Sequence, residues 1–327
     1  MKKLFTFILC SIIALPLFFT SCQKEQEGVY NPKKKIERIY HERYLSYTYG
    51  YNETYEYVDP KHLSEVWNWD GNVLNSIDYF DEEGYSAERA TFIYDGKRLS
   101  EIRISYDGEE SYRYIYNYQD NLLSSISGYY ADEQTPISTF QFTHSGKKIT
   151  RIEHYEEDYS KRANSSFSPL HFTLPFMDAN IIDQVEKKGV KNRRIYAQWE
   201  LEWNNDNINS VKITHYHNYL CVLIEFTYDT KINPLYNMLT GDFGTGYADD
   251  VDRFSIGGTY NPVVTSKNNA VTIRENYISE EGAVDYVLNY SYDGDFPVVQ
   301  ECNLTYGYGD VVVQNPRDRS VVYYEYK

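Results

Sequence analysis

From Tyr112 to Tyr118 every second residue is a tyrosine, while Arg113, Ile115 and Asn117 hold the other parity. That alternation has period two, the period of a strand whose successive side chains point to opposite faces. A few polar residues interrupt such runs and the alternation then resumes, as in "SEIRISY", where Ile102, Ile104 and Tyr106 share one parity. Apolar residues at the spacing of a helix face are almost absent, and residues Ile181 to Lys188 are the one stretch that reads as a short helix. The pattern predicts a chain made of strands.

The strands come in repeated units. "YDGKRLSEI" from Tyr94 has relatives in "WDGNVLNSI" from Trp69, "YQDNLLSSI" from Tyr118, "HSGKKITRI" from His144 and "WNNDNINSV" from Trp203. Each has a ring residue first, polar turn formers next, and aliphatic residues at the sixth and ninth places. The starts are spaced by 25, 24, 26 and 59 residues, the last step being two units plus an insertion. Degenerate copies begin at Tyr228 and Tyr292, with Pro234 and Pro297 near the aliphatic place. Proline lacks the donor a ladder needs, so those strands should lie at an edge, begin after the proline or break there.

Each unit reads as a strand, a tight turn and a returning strand, with Asp-Gly or Asn-Asp supplying the positive-φ positions of a hairpin. A loop of two, three or four residues fits the pattern equally well. A dozen or more such strands exceed what a twisted open sheet holds before it curls. The expected fold is all-β, a large curved antiparallel meander, open or partly closed into a barrel or wrap, built from hairpins of about 25 residues.

The first 21 residues have the form of a secretory signal, two lysines followed by a short apolar run from Leu4 to Phe19. Phe19-Thr20-Ser21-Cys22 resembles the lipobox of bacterial lipoproteins, which implies that Cys22 is acylated and anchors the chain. The following Gln23-Lys24-Glu25-Gln26-Glu27 resembles the acidic export tag of Bacteroidetes surface lipoproteins. The organisation expected is a signal peptide over 1–21, an acylated tether over 22–35, and one β-repeat domain over 36–327 with irregular insertions near 160–194 and 238–269.

The repeat resembles the YD repeats of RHS-type shells. It is more similar still to uncharacterised lipoproteins of gut Bacteroidetes, whose domain of unknown function carries "YTYDG" and "NPL" elements. Here those elements are Phe92-Ile93-Tyr94-Asp95-Gly96, Phe226-Thr227-Tyr228-Asp229 and Asn233-Pro234-Leu235. The resemblance implies an outer-membrane location, on the cell surface rather than in the periplasm, and a β-rich fold; it implies no activity.

Composition narrows the partners. The formal charge is -16, or -18 once Lys2 and Lys3 leave with the signal, and no long basic run offsets it. Nucleic acid is therefore an unsuitable partner. Of four cysteines, only Cys221 and Cys302 remain in the folded part, either paired or as two buried small side chains.

The candidate chemistry is sparse. Asp242, Asp249, Asp250 and Asp252 gather in a glycine-containing loop where calcium could bind, without EF-hand spacing. His215 and His217 would share a strand face, which is two ligands and not a site. No catalytic motif is present, and neither a cofactor nor a resident metal is expected. Tyr112, Tyr114, Tyr116 and Tyr118 would form a binding platform if their face were open, and would merely brace the sheet if it were buried.

Connections rich in Asp and Glu should line one edge, opposite a turn edge carrying Lys97, Arg98, Lys147 and Lys148. The function expected is a non-enzymatic envelope scaffold held at the membrane by acyl chains, with a protein or glycan partner. The alternatives are a surface hydrolase of polysaccharide or peptide, and a purely structural envelope protein.

Overall fold

A computed structural model describes residues 28–49, 53–81, 83–86, 88–156, 194–215, 221–238, 266–278, 282–308 and 311–327. The Ile181–Lys188 segment lies outside them. The described residues form sixteen strands and no helix: β1 (Ile36–Tyr49), β2 (Glu53–Asp70), β3 (Val73–Tyr79), β4 (Glu88–Asp95), β5 (Arg98–Tyr106), β6 (Glu109–Gln119), β7 (Leu122–Tyr130) and β8 (Ser138–Ser145) make the first half. The second half comprises β9 (Lys148–Glu156), β10 (Arg194–Asn204), β11 (Asn207–His215), β12 (Cys221–Ile232), β13 (Asn268–Tyr277), β14 (Gly282–Asp293), β15 (Phe296–Tyr308) and β16 (Val311–Tyr326).

Every strand pairs antiparallel with its neighbours in sequence, and β1 pairs with β16, from Ile36 opposite Tyr326 to Tyr44 opposite Arg319. The meander is thus a closed barrel, which leaves no sheet edge exposed. Sixteen twisted strands cannot stay flat, and closure is how this chain resolves the curl.

The repeated turns are two residues long. Asp95 pairs with Arg98, Asp70 with Val73, Gln119 with Leu122, Ser145 with Lys148, Asn204 with Asn207 and Asp293 with Phe296. The first loop residue takes positive φ, as at Gly96 (φ 63°) and Asn205 (φ 52°), which is the geometry that matches strand twist.

A β-bulge follows each of these turns. Tyr94 faces Leu99 but Ile93 faces Glu101, so Ser100 has no partner of its own. The same slip occurs after Tyr118, His144, Trp203 and Trp69. Because the bulge inserts one residue, the sixth and ninth places of a unit fall on one face although three apart. The hydroxyl at the bulge then donates to the carbonyl opposite: Ser100 to Ile93 at 3.0 Å, Ser124 to Asn117 at 2.9 Å, and Thr150 to Thr143 at 3.3 Å.

The buried face is the inner one, since a closed barrel offers nothing else to bury against. Leu99, Ile102 and Ile104 point inward, as do Trp199, Leu201, Ile208, Val211 and Ile213. They belong to two clusters, one on β8 to β15 and one on β16 and β1 to β7, with Phe142 packed against both. Between these residues the outward positions carry Arg103, Glu200, Lys212, Glu225 and Arg274, all exposed. Pro297 is the second residue of β15, opposite Tyr292 at its bulge, and Pro234 stands just beyond β12, so neither interrupts a ladder.

Candidate functional site at the two ends of the barrel

The antiparallel meander puts all the repeated turns at one end of the barrel. There the pairing between successive hairpins stops short: β3 and β4 pair only from Ser76 and Thr91 outward, β5 and β6 only from Glu101 and Ile115. The carbonyls left over are met by the ring residue that opens a later hairpin. Tyr94 donates to Leu74 O at 2.9 Å, Tyr118 to Leu99 O at 2.8 Å and Trp203 to Ile149 O at 2.6 Å. Trp69 donates to Ile36 O at 2.8 Å and Tyr326 to Pro297 O at 2.7 Å, so the device recurs on the two strand pairs that flank the closing seam. Burial pushes the Tyr94 and Tyr326 hydroxyls well above the ordinary tyrosine range, which keeps them protonated donors.

Cations cover these rings from the solvent side. Arg98 lies 4.5 Å from the centroid of Tyr118, Lys148 5.3 Å from Trp203, Lys35 5.7 Å from Trp69 and Lys231 5.7 Å from Tyr292. In the first two cases the base is the fifth residue of one unit and the ring is the first of the next. Each such contact contributes about 0.5 to 1 kcal/mol at an exposed site.

Two further segments seal the same end. Gly28 accepts a hydrogen bond from the Leu99 amide at 2.8 Å, and Tyr30, itself buried, donates to Pro234 O at 2.8 Å. Gly28 has φ +80°, and a methyl group there would overlap the Tyr118 hydroxyl. Residues 28–30 of the expected tether are therefore built into the barrel. Asn233, 2% exposed, accepts from the Leu235 amide and donates to Ser266 O, both at 2.9 Å, which seats Leu235 and Met238 in the core. Asp229 accepts from the Lys231 and Asn269 amides and from the Tyr292 hydroxyl. The "NPL" element is the fastening of this seal.

The opposite end differs in charge and in lining. Its described connections carry Asp81, Glu83, Asp107, Asp132 and Glu133, with Glu109 and Glu110 beside them and no base among them. Below that rim the register sets an inner row of Tyr324, Ile39, Glu65, Tyr79, Glu88 and Tyr106. Glu65 accepts from Trp67 Nε1 at 2.7 Å. Glu65 and Glu88 stand two strands apart, roughly 10 Å, and at 3% and 4% exposure neither is open to a substrate.

Nearby on the inner face, His62 Nδ1 lies 3.1 Å from Asp59 Oδ1 and the His41 ring 6.4 Å from that of His62. His41 is half-buried with its Nε2 sealed from water. Burial, then His62 and Arg43, bring its pKa down to about 3.

No family model and no curated protein matches the chain. Among solved structures it is similar to a porin-like protein from Bacteroides uniformis ATCC 8492, with 9% identity, 92% of this chain and 100% of that chain covered, and a TM-score of 0.47. It is also similar to a porin-like protein from Bacteroides vulgatus ATCC 8482, with 11% identity, coverages of 90% and 99%, and a TM-score of 0.30. The description belongs to those proteins and carries no argument for this one.

Of the residues singled out from sequence, Cys22 and the aspartates 242, 249, 250 and 252 lie outside the described residues, as does His217. The tyrosine row does share one face, and that face is the inner one: Tyr114 and Tyr116 are 1% and 5% exposed, and Tyr112 and Tyr118 are half-buried. A row lining the core offers no open platform, which leaves the other of the two readings, that these tyrosines brace the sheet. Its parity was legible, whereas which parity faced inward was not.

Cys221 and Cys302 are both free, and burial pushes the Cys302 thiol up to about 12. Among the described residues no group of three His, Cys, Asp or Glu side chains is placed to hold a metal ion. The charge asymmetry of the two ends follows from topology as the loop composition suggested. Gly28, Tyr30 and the ring-to-carbonyl bonds escaped sequence reasoning. The signal for those bonds was that the first place of a unit is always Tyr, Trp or His and never Phe.

Proposed function

We propose that this chain is a lipid-tethered barrel that stands in water at the outer membrane, a non-enzymatic scaffold presenting its outer surface and acidic end to a protein or glycan partner. The observation that carries this reading is the polarity of the two faces. A barrel that spans a bilayer needs an outward apolar band about 25 Å tall, and an outward Arg or Lys at its middle costs about 2 to 4 kcal/mol. Here Arg103, Lys212 and Arg274 occupy strand interiors on the outward face, while Trp199, Tyr114 and Phe140 fill the inside. A wide transmembrane barrel has the reverse arrangement, with a polar lumen.

The acyl anchor at Cys22 supplies what such a barrel lacks, a means of staying at the membrane, since several acyl chains together hold a soluble domain there. Protease shaving of intact cells followed by cross-linked pull-down tests exposure and partnership together. Cleavage of the barrel with recovery of a defined partner supports the reading; complete protection refutes surface display.

A further inference from the structure

We infer that the barrel is held upright, with its turn end resting on a phosphate-bearing bilayer surface and its acidic end pointing away. The inference rests on the acylation of Cys22 proposed above and adds to it a direction. Gly28 lies at the turn end, fixed by the Leu99 amide and by the absence of room for a side chain beside Tyr118. Cys22 is six residues upstream. Even fully extended, six residues reach only about 20 Å. The turn end must therefore stay near the lipid, although that reach alone would let the barrel lie on its side.

The charges decide between the two postures. At the turn end Lys34, Lys231 and Lys267 pair with Asp293, Asp295 and Asp206, which neutralises turn aspartates. Lys33, Lys97 and Lys147 are exposed there beside Asp70, Asp95 and Asp120, and Lys35, Arg98 and Lys148 over the rings leave the described turns with an excess of bases. The far end carries its run of carboxylates with no base in the described connections. Of the two ends, the turn end is the one that an anionic bilayer repels less, and its lysines can meet lipid phosphates within the roughly 8 Å reach of unscreened charge. Lys33, Lys97 and Lys147, with Lys35, Arg98 and Lys148 over the rings, would then form the footprint.

Energy transfer to headgroup-labelled lipid tests this on the acylated full-length mature chain, bound to vesicles of phosphatidylethanolamine and phosphatidylglycerol. A dye is attached in a Cys221→Ser background at Asp95→Cys, on the turn end, or at Glu109→Cys, on the far end. Transfer from the Asp95 position should exceed that from the Glu109 position several-fold, and the difference should shrink when Lys33, Lys97 and Lys147 are all changed to Glu. Equal or reversed transfer overturns the upright posture, and a difference that survives the charge reversal overturns its electrostatic origin. The mass of the Cys22 peptide, read on the same sample, separates the cases: an unacylated cysteine with no vesicle binding refutes the anchor, whereas an acylated one with equal transfer refutes only the orientation.

Discussion

The Tyr118 hydroxyl donates to the carbonyl of Leu99 at 2.8 Å, across a gap where β5 and β6 have ceased to pair. A backbone carbonyl stranded at the end of a ladder needs a partner, and here a side chain from the following hairpin provides it. Tyr118→Phe keeps the ring and the Arg98 contact but removes the donor. We expect a loss of about 1 to 2 kcal/mol, measured by denaturant unfolding. Trp203→Phe should cost a similar amount through Ile149 O. An unchanged midpoint in both variants would show that these bonds contribute nothing.

Gly28→Ala places a methyl group against the Tyr118 hydroxyl at a backbone angle that alanine disfavours. The N-terminal segment should detach while the barrel stays folded. Hydrogen exchange at the Leu99 amide, which donates to Gly28 O, reports this directly: protection in the native chain, and exchange faster by tenfold or more in the variant.

Asn233→Ala removes both bonds that seat the segment after β12 and leaves the Leu235 amide and Ser266 carbonyl buried without them. The expected cost is about 2 to 4 kcal/mol by urea unfolding. Asn233→Asp keeps the acceptor for Leu235 and should recover part of it.

Acid should weaken the fold before the carboxylates titrate. His41 is held neutral in the folded state, with its pKa down to about 3, whereas the unfolded chain takes up that proton near 6.5. Between those values the unfolded state binds more protons, so stability is lost as pH falls, by at most about 1.4 kcal/mol per pH unit for this group. Glu42 and Asp293, both shifted down by hydrogen bonds from Tyr323 and Lys34 respectively, add their losses only at lower pH. His41→Gln should flatten the slope measured between pH 7 and pH 5. An unaltered slope would place the acid sensitivity elsewhere.

Much of this architecture was legible because each hairpin carries its own instructions. The parity of Tyr112 to Tyr118, the Asp95-Gly96 turn and the Leu99, Ile102 pair specify a strand, a turn and a bulged return without reference to the rest of the chain. Closure was not legible, because it depends on the register of β1 against β16, some 280 residues apart in sequence, and no local pattern encodes that pairing. Which face turned inward was hidden for a related reason. Tyrosine suits both a wet surface and a core, so a row of tyrosines does not declare its side.

The bases in the turn were ambiguous in the same way. Arg98 and Lys148 read as a charged edge, and only the neighbouring hairpin shows that they lie over Tyr118 and Trp203. Cys22 and the four aspartates at 242, 249, 250 and 252 lie outside the described residues.

The central claim is that the barrel faces water with its charged side and keeps its apolar side within. Sedimentation velocity of the mature chain carrying Cys22→Ser, in buffer without detergent, tests it most directly. A single monodisperse species with the strand content of the folded barrel is the predicted result. A chain that aggregates in buffer, and becomes monodisperse and folded only in detergent or lipid, would contradict it.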